Sequence, residues 1–241
     1  MLGIRTGIGG KANMAAISTL IRTNRHYLVF NGTDEFVEIN AVGNDITPAA
    51  KGTISMWVIM PVTSGSSTLI RGSADSSNEI FIFWHNSSDE LRFTHEAGGT
   101  GKKVQHDFSG YDHSSWIHVA MTWDTTANEL KGYVNGSQVG ETIGSLGDFS
   151  GTIDDMDLAR NPADGAYFKG SMDEVSIWTD VMSISELYNS GVKKNIVVSG
   201  LDTSKLVAYY QFEERTGTTT ADRSSAGNTG NLNNTPTRTA Y

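Results

Sequence analysis

Short alternating segments, separated by Gly, Asn and Ser clusters, recur along nearly the whole chain, and nothing else in it restricts the fold as much. "HYLVFNGTDEFVEIN" (26–40) is a strand, an Asn31-Gly32 turn and a second strand. "TISMWVIM" (53–60) is apolar on both faces, as an inner strand of a sandwich is. "NEIFIFWHN" and "DELRFTHEA" flank the loop "SSD" as a hairpin. In "SSWIHVAMTWD", Ile117, Val119, Met121 and Trp123 alternate with Trp116, His118, Ala120 and Thr122. "NELKGYVNGSQVG" is the clearest hairpin, because Asn135-Gly136 tolerates the positive φ of a type I′ turn. "GSMDEVSIW" and "KLVAYYQFEE" add two strands. One short helix is expected near 183–190, where Ser183 and Glu186 make an S-x-x-E capping box and Gly191 follows. Strands of this spacing without a βαβ rhythm predict an all-β, antiparallel β-sandwich.

Composition and charge narrow the partners. Gly is high at 26 and Pro low at four, which suits many tight turns, and the chain has no cysteine, so disulfides and thiolate metal sites are excluded. Residues 1–33 carry Arg5, Lys11, Arg22 and Arg25 and no acid; the remainder holds 14 basic against 27 acidic residues. An acidic body of this kind cannot neutralise a row of phosphates, which argues against nucleic acid as a partner. The basic arm, residues 1–25, suits an acidic neighbour such as other virion proteins or copies of this chain, and the plain alternative is a flexible solvated tail. No stretch reaches the ~18 apolar residues of a membrane helix, and no signal peptide is evident, so no membrane insertion is expected. The last 26 residues, 216–241, are poor in large apolar groups, loop-like by composition, and expected to pack on the domain (26–215) or on a neighbouring subunit.

Four ordered segments carry a resemblance: "LVFNGTDEFVEI", "TISMWVIM", "WIHVAMTWDTTANELKGYVNGSQVG" and "AYFKGSMDEVSIWTDVMSISELY". Together, over residues 26–191, they resemble the laminin-G-like branch of the concanavalin A-like lectin/glucanase superfamily. The resemblance implies a jelly roll of two curved sheets, one concave and often carrying ligands. It also implies that a structural calcium is held between the opening turn and the late D-E-V strand; the matching positions are Asn31, Gly32 through its carbonyl, Asp34 and Asp173. Against that stands the plain reading, in which Asp173 caps loop amides and Glu174 faces water. "KLVAYYQFEERTGTTTADRSSAGNTGNLNN" resembles a segment that precedes the opening strand in many relatives, yet here it follows the helix.

The chain offers no catalytic set. A retaining glycosidase needs two carboxylates facing one cleft about 5–5.5 Å apart. Asp173 and Glu174 are adjacent, so on a regular strand they point to opposite faces. Asp155 and Asp157 share a face, but the superfamily's E-x-D-x-x-E pattern is missing. The six histidines form no H-E-x-x-H, and His106, Asp112 and His113 are more simply a solvated loop than a zinc site. Trp84, with His85 and Asn86 at a strand end, is the aromatic expected to be exposed and to stack on a sugar ring. The expected function is therefore non-enzymatic. The first reading is a virion structural or adhesion protein, a phage capsid decoration or tail component assembled in the host cytoplasm. The alternative is an extracellular, calcium-dependent glycan-binding module, and a host-surface glycan is a partner in either case.

Overall fold

The computed structural model describes residues 25–47, 49–61, 65–161, 163 and 165–241. Two antiparallel eight-stranded sheets pack face to face as a jelly-roll sandwich. The strands are β1 (His26–Asn31), β2 (Phe36–Glu38), β3 (Lys51–Ile59), β4 (Ser66–Asp75), β5 (Asn78–His85), β6 (Glu90–Ala97), β7 (Thr100–Asp107), β8 (Ile117–Asp124), β9 (Glu129–Val134), β10 (Ser137–Ile143), β11 (Asp155–Leu158), β12 (Lys169–Trp178), β13 (Leu206–Tyr210), β14 (Thr219–Thr220), β15 (Gly230–Asn233) and β16 (Thr237–Ala240). The first sheet runs β10-β9-β8-β3-β12-β1-β16, with β13 also on β12; the second runs β14-β15-β2-β11-β4-β5-β6-β7.

Alternation along each strand builds the core. Met56, Val58, Val119, Met121, Val175 and Ile177 of the first sheet meet Ile80, Ile82, Trp84, Leu91, Phe93 and Met156 of the second, all fully or almost fully buried. Asn135 (φ 48°) and Gly136 (φ 79°) both take positive φ, as the β9–β10 hairpin requires. The Asn31-Gly32 turn does not close a hairpin. β1 pairs with β12 and β16, whereas β2 pairs with β11 and β15, so this turn carries the chain from one sheet to the other. Two short α-helices occur among the described residues. The one expected from its capping box is α2 (Ile184–Tyr188); it starts after Ser183, although the Ser183 hydroxyl makes no cap bond, and left-handed Asn189 ends it ahead of Gly191. The other, α1 (Asn40–Ile46), buries Val42 and Ile46 at the rim of the sandwich.

The polar C-terminal stretch closes both sheets. β14 and β15 extend the second sheet beside β2, and β16 adds to β1 at the edge of the first. Composition alone hides these strands because each buries few apolar side chains, Leu232 being the clearest. Their stability comes from edge pairing onto an existing sheet.

Candidate functional site

The two sheets treat their outward faces differently. Across the first sheet lies the segment 180–205, which contains α2. Trp178, Ala120, Leu206 and Tyr209 from the sheet pack beneath Ile184, Leu187 and Ile196 as a second apolar cluster. Large side chains fully buried in this way each contribute about 1.5–3 kcal/mol.

Under this cover sits the D-E pair, and here regular-strand geometry fails. Opposite β3, Asp173 pairs with Trp57 and Ser176 with Ser55, so two residues of β12, Glu174 and Val175, face the single residue Met56. The extra residue is Glu174, held at φ 49°. A bulge of this kind breaks the alternation, and the two carboxylates, expected to diverge, both go to the covered side. Glu174 does not face solvent: it is 3% exposed and Asp173 0%. The bulge falls where the strand bordering β12 changes from β1 to β13. Through that junction Tyr209 Oη donates to Glu174 Oε2, and Gln211 Nε2 donates to Glu174 Oε1 at 3.2 Å. Burial first, and then the neighbouring Asp173, push the Glu174 carboxyl well above the usual range.

Asp173 is bound on both oxygens. The Glu174 N–H donates to Oδ1 at 2.9 Å; Lys193 Nζ (3.1 Å) and the Tyr241 hydroxyl (2.5 Å) donate to Oδ2. Lys193 Nζ also donates to the Tyr241 hydroxyl and sits 2.9 Å from the centre of the Trp116 ring. Burial lowers the Lys193 ammonium to about 8, partly offset by Asp173.

This placement does not fit the expected calcium set. Asn31 pairs with Lys169, and Asp173 lies four residues further along β12, roughly 13 Å away at the rise of a strand. The opening loop satisfies itself. Asn31 Oδ1 accepts from the N–H groups of Thr33 and Asp34, Asn31 Nδ2 donates to Asp34 Oδ1 at 2.9 Å, and Glu35 Oε2 accepts from Asn31 N–H. Asn31, Gly32 and Lys169 border a polar groove of about 580 Å³ with Ser66, Ser67 and Tyr167. Among the described residues, no three His, Asp or Glu side chains are arranged to hold a metal. His113 bonds Asp89 and the Met60 carbonyl, His106 bonds Tyr111, and Asp112 accepts from Ser114 and Ser115, so these three do not converge.

Trp84 is not an exposed sugar platform. It points into the core at 0% exposure, donates from Nε1 to Asp89 Oδ1 at 3.0 Å, and stacks on His113. The alternation of β5 explains the error: Ile80, Ile82 and Trp84 face inward, while Phe81, Phe83 and His85 face out. His85 bonds Ser87 and Ser88; the side chain of Asn86 lies outside the described part. Of the basic arm, Arg5, Lys11 and Arg22 lie outside the described residues, and the Arg25 N–H donates to Glu213.

The outward face of the second sheet is covered in part by Arg160 and Tyr167 near β2 and is more open over β5 and β6. Strand register aligns Asn231, Glu38, Asp157, Arg71, Phe81, Thr94 and Lys103 across seven strands, with Phe83, Arg92 and Gln105 in the adjacent row. Arg71 grips Glu79 with two hydrogen bonds, and the Arg160 guanidinium lies 3.8 Å above the Phe36 ring while binding Asp157. Burial raises the Asp157 carboxyl to about 6 despite that bond, and its Oδ1 has no hydrogen-bond partner. Phe81, Phe83 and Arg92 keep part of their surface in water.

A jelly roll of two antiparallel sheets is the arrangement that the sequence motifs implied, and a family model decides the matter. The model describing the concanavalin A-like lectin/glucanases superfamily, in its laminin G form, matches residues 31–187. The chain belongs to this superfamily. Solved structures agree on the fold. A candidate carbohydrate-binding protein from Bacteroides ovatus superposes with a TM-score of 0.61 at 18% identity, covering 90% of this chain and 60% of its own. The CBM40 module of the Ruminococcus gnavus IT-sialidase, bound to α2,3-sialyllactose, gives 0.54 at 16% identity over 68% of this chain and 96% of its own. Domain 4 of a Geobacillus stearothermophilus GH43 arabinanase, in complex with arabinotriose, gives 0.51 at 19% identity over 68% and 75%. No curated protein is similar enough to match. The chain thus spans 60% of the length of the Bacteroides ovatus protein, and the family model leaves β13 to β16 outside its match.

Proposed function

We propose that this superfamily member is a non-catalytic glycan-binding module whose ligand lies on the open face of the second sheet. The observation that carries this is the row of half-exposed rings, Phe81 and Phe83, beside the paired Arg71–Glu79 and Arg92–Glu90 groups. A sugar ring presents C–H groups to an aromatic face and hydroxyls to planar carboxylate and guanidinium groups. The superposed modules that bind sialyllactose and arabinotriose support the class of ligand. Asp157, the nearest to a catalytic acid on this face, supports binding over hydrolysis, because Arg160 clamps it and it is 1% exposed.

Charge narrows the ligand. Seven carboxylates (Glu38, Glu79, Glu90, Glu96, Asp107, Asp155 and Asp157) share this face with four cations (Arg71, Arg92, Lys103 and Arg160). A surplus of acid repels sialylated or sulfated sugars, so neutral glycans are the expected ligands. A glycan array with the full chain should give neutral hits, which Phe81→Ala and Arg92→Ala abolish while the melting temperature stays near that of the parent. Hits confined to acidic glycans, or unchanged in both variants, would refute the reading. With Asp173 held elsewhere, a calcium ion at the rim would draw on Asn31, Gly32 and Asp34, and melting with Ca²⁺ or EDTA tests for it.

A second reading is supported by the opposite charges of residues 1–33 and the rest of the chain. In it the sandwich is the displayed part of a phage particle, capsid or tail, docked through Arg5, Lys11, Arg22 and Arg25. Removing residues 1–25 should then abolish incorporation, and a mass-spectrometric inventory of purified particles should contain the chain.

A further inference from the structure

Lys193, Asp173 and Tyr241 come from three separate parts of the chain, and only the fold brings them together. Their reacting atoms form a closed triangle. Lys193 Nζ donates to both the Tyr241 hydroxyl and Asp173 Oδ2, and the Tyr241 hydroxyl donates to the same Oδ2. The ion pair is nearly dry, the Lys193 side chain being 12% exposed and that of Asp173 0%; the Trp116 ring closes one wall, and Tyr241, 56% exposed, forms the side toward water. On the far side of the carboxyl, the Glu174 N–H holds Oδ1 at 2.9 Å through the β12 bulge.

We propose that this triangle is a modification site at which Lys193 and Asp173 condense into an intramolecular isopeptide bond. Proton transfer within the ion pair yields the neutral amine and the neutral carboxylic acid, with no change in total charge. Lys193 Nζ then attacks Asp173 Cγ, forming the C–N bond. The Tyr241 hydroxyl takes a proton from Nζ and passes its own to Oδ2. The Cγ–Oδ2 bond breaks, Oδ2 leaves as water, and Oδ1 remains as the amide oxygen on the Glu174 N–H. Amine and acid give amide and water, so no oxidant, cofactor or activating group is required.

Three physical circumstances favour the step. Holding amine and carboxyl in contact removes the entropy cost of a bimolecular encounter. An ion pair buried away from water is costly to maintain, whereas an amide carries no charge. The N–H at Oδ1 is already aimed at the oxygen on which negative charge develops during attack. The bond would tie the cover segment 180–205 to β12, the strand it lies across.

The test is a peptide map and intact mass of the purified full-length wild-type chain, so no variant has to fold. The expected result is a mass one water below that of the sequence. It comes with no tryptic cleavage after Lys193 and a branched peptide joining Lys193 to Asp173. Lys193→Arg should restore the sequence mass, and Asp173→Asn should still link, losing ammonia in place of water. Tyr241→Phe should leave a large unlinked fraction that closes slowly. A wild-type chain at sequence mass after prolonged incubation, with Lys193 and Asp173 both recovered unmodified, overturns the proposal. Neither outcome depends on whether the open face binds glycans.

Discussion

The outward faces of the two sheets are built from the same alternation yet reach opposite ends. On the first sheet, Asp173 and Glu174 are sealed beneath 180–205 and satisfied by Lys193 of that segment and by Tyr209, Gln211 and Tyr241. On the second, Arg71 and Asp157 are buried in pairs with Glu79 and Arg160, while Phe81, Phe83 and Arg92 stay partly open to water or a ligand. A charged residue on an outward-facing strand position therefore does not announce a binding surface. What decides its role is whether another layer crosses it.

Truncation should break this symmetry most sharply. Trp178→Ala removes a fully buried side chain from the covered face and should cost about 3–5 kcal/mol in denaturant unfolding. Phe81→Ala, on the open face, should cost under about 1 kcal/mol while removing glycan binding. Equal losses for the two would mean that the second face is also covered.

The pH dependence sharpens the contrast further. Glu174 and Asp157 are both carboxyls raised by burial, so the stability they confer is complete below their unfolded values and is lost as pH rises through the folded ones. For Asp157 the loss runs from about 3.8 to about 6; for Glu174 it begins near 4.5 and extends higher. Melting temperature should accordingly fall by several degrees between pH 4 and pH 8. Glu174→Gln should flatten the part above pH 6, and Asp157→Asn the part below it. If Glu174→Gln leaves the upper limb unchanged, the covered carboxyl is not titrating in that range.

The smallest effect is expected at Lys103, an exposed cation in the open row. Lys103→Ala should leave stability within about 0.5 kcal/mol and change glycan affinity only modestly, since an exposed charge contributes little. A large loss of binding would move the ligand toward β7.

Much of the fold was legible because strand period and turn chemistry are local. Asn135-Gly136 needs only its own φ angles to make a hairpin, and the alternation around Met121 puts Val119, Met121 and Trp123 together on the face between the sheets. The polar tail was less legible, because β14 to β16 are stabilised by pairing onto edges that a composition argument does not include. Trp84 differs for another reason: a strand end favours exposure, but its parity with Ile80 and Ile82 points it inward. Phe81 and Phe83, its outward neighbours, could have been named from the same alternation.

The sequence by itself determined two antiparallel sheets, the short helix after Ser183, the absence of thiol chemistry and the opposed charges of arm and body. Only the tertiary structure decided what Asp173 and Glu174 do. A strand's period is a property of its own backbone, but a bulge is a mismatch between two strands, here two residues of β12 against Met56 of β3. That one extra residue turned an acid expected in water into a buried one and set Asp173 against Lys193 and Tyr241. No single stretch of sequence contains that contact, because its three partners meet only when the sandwich closes.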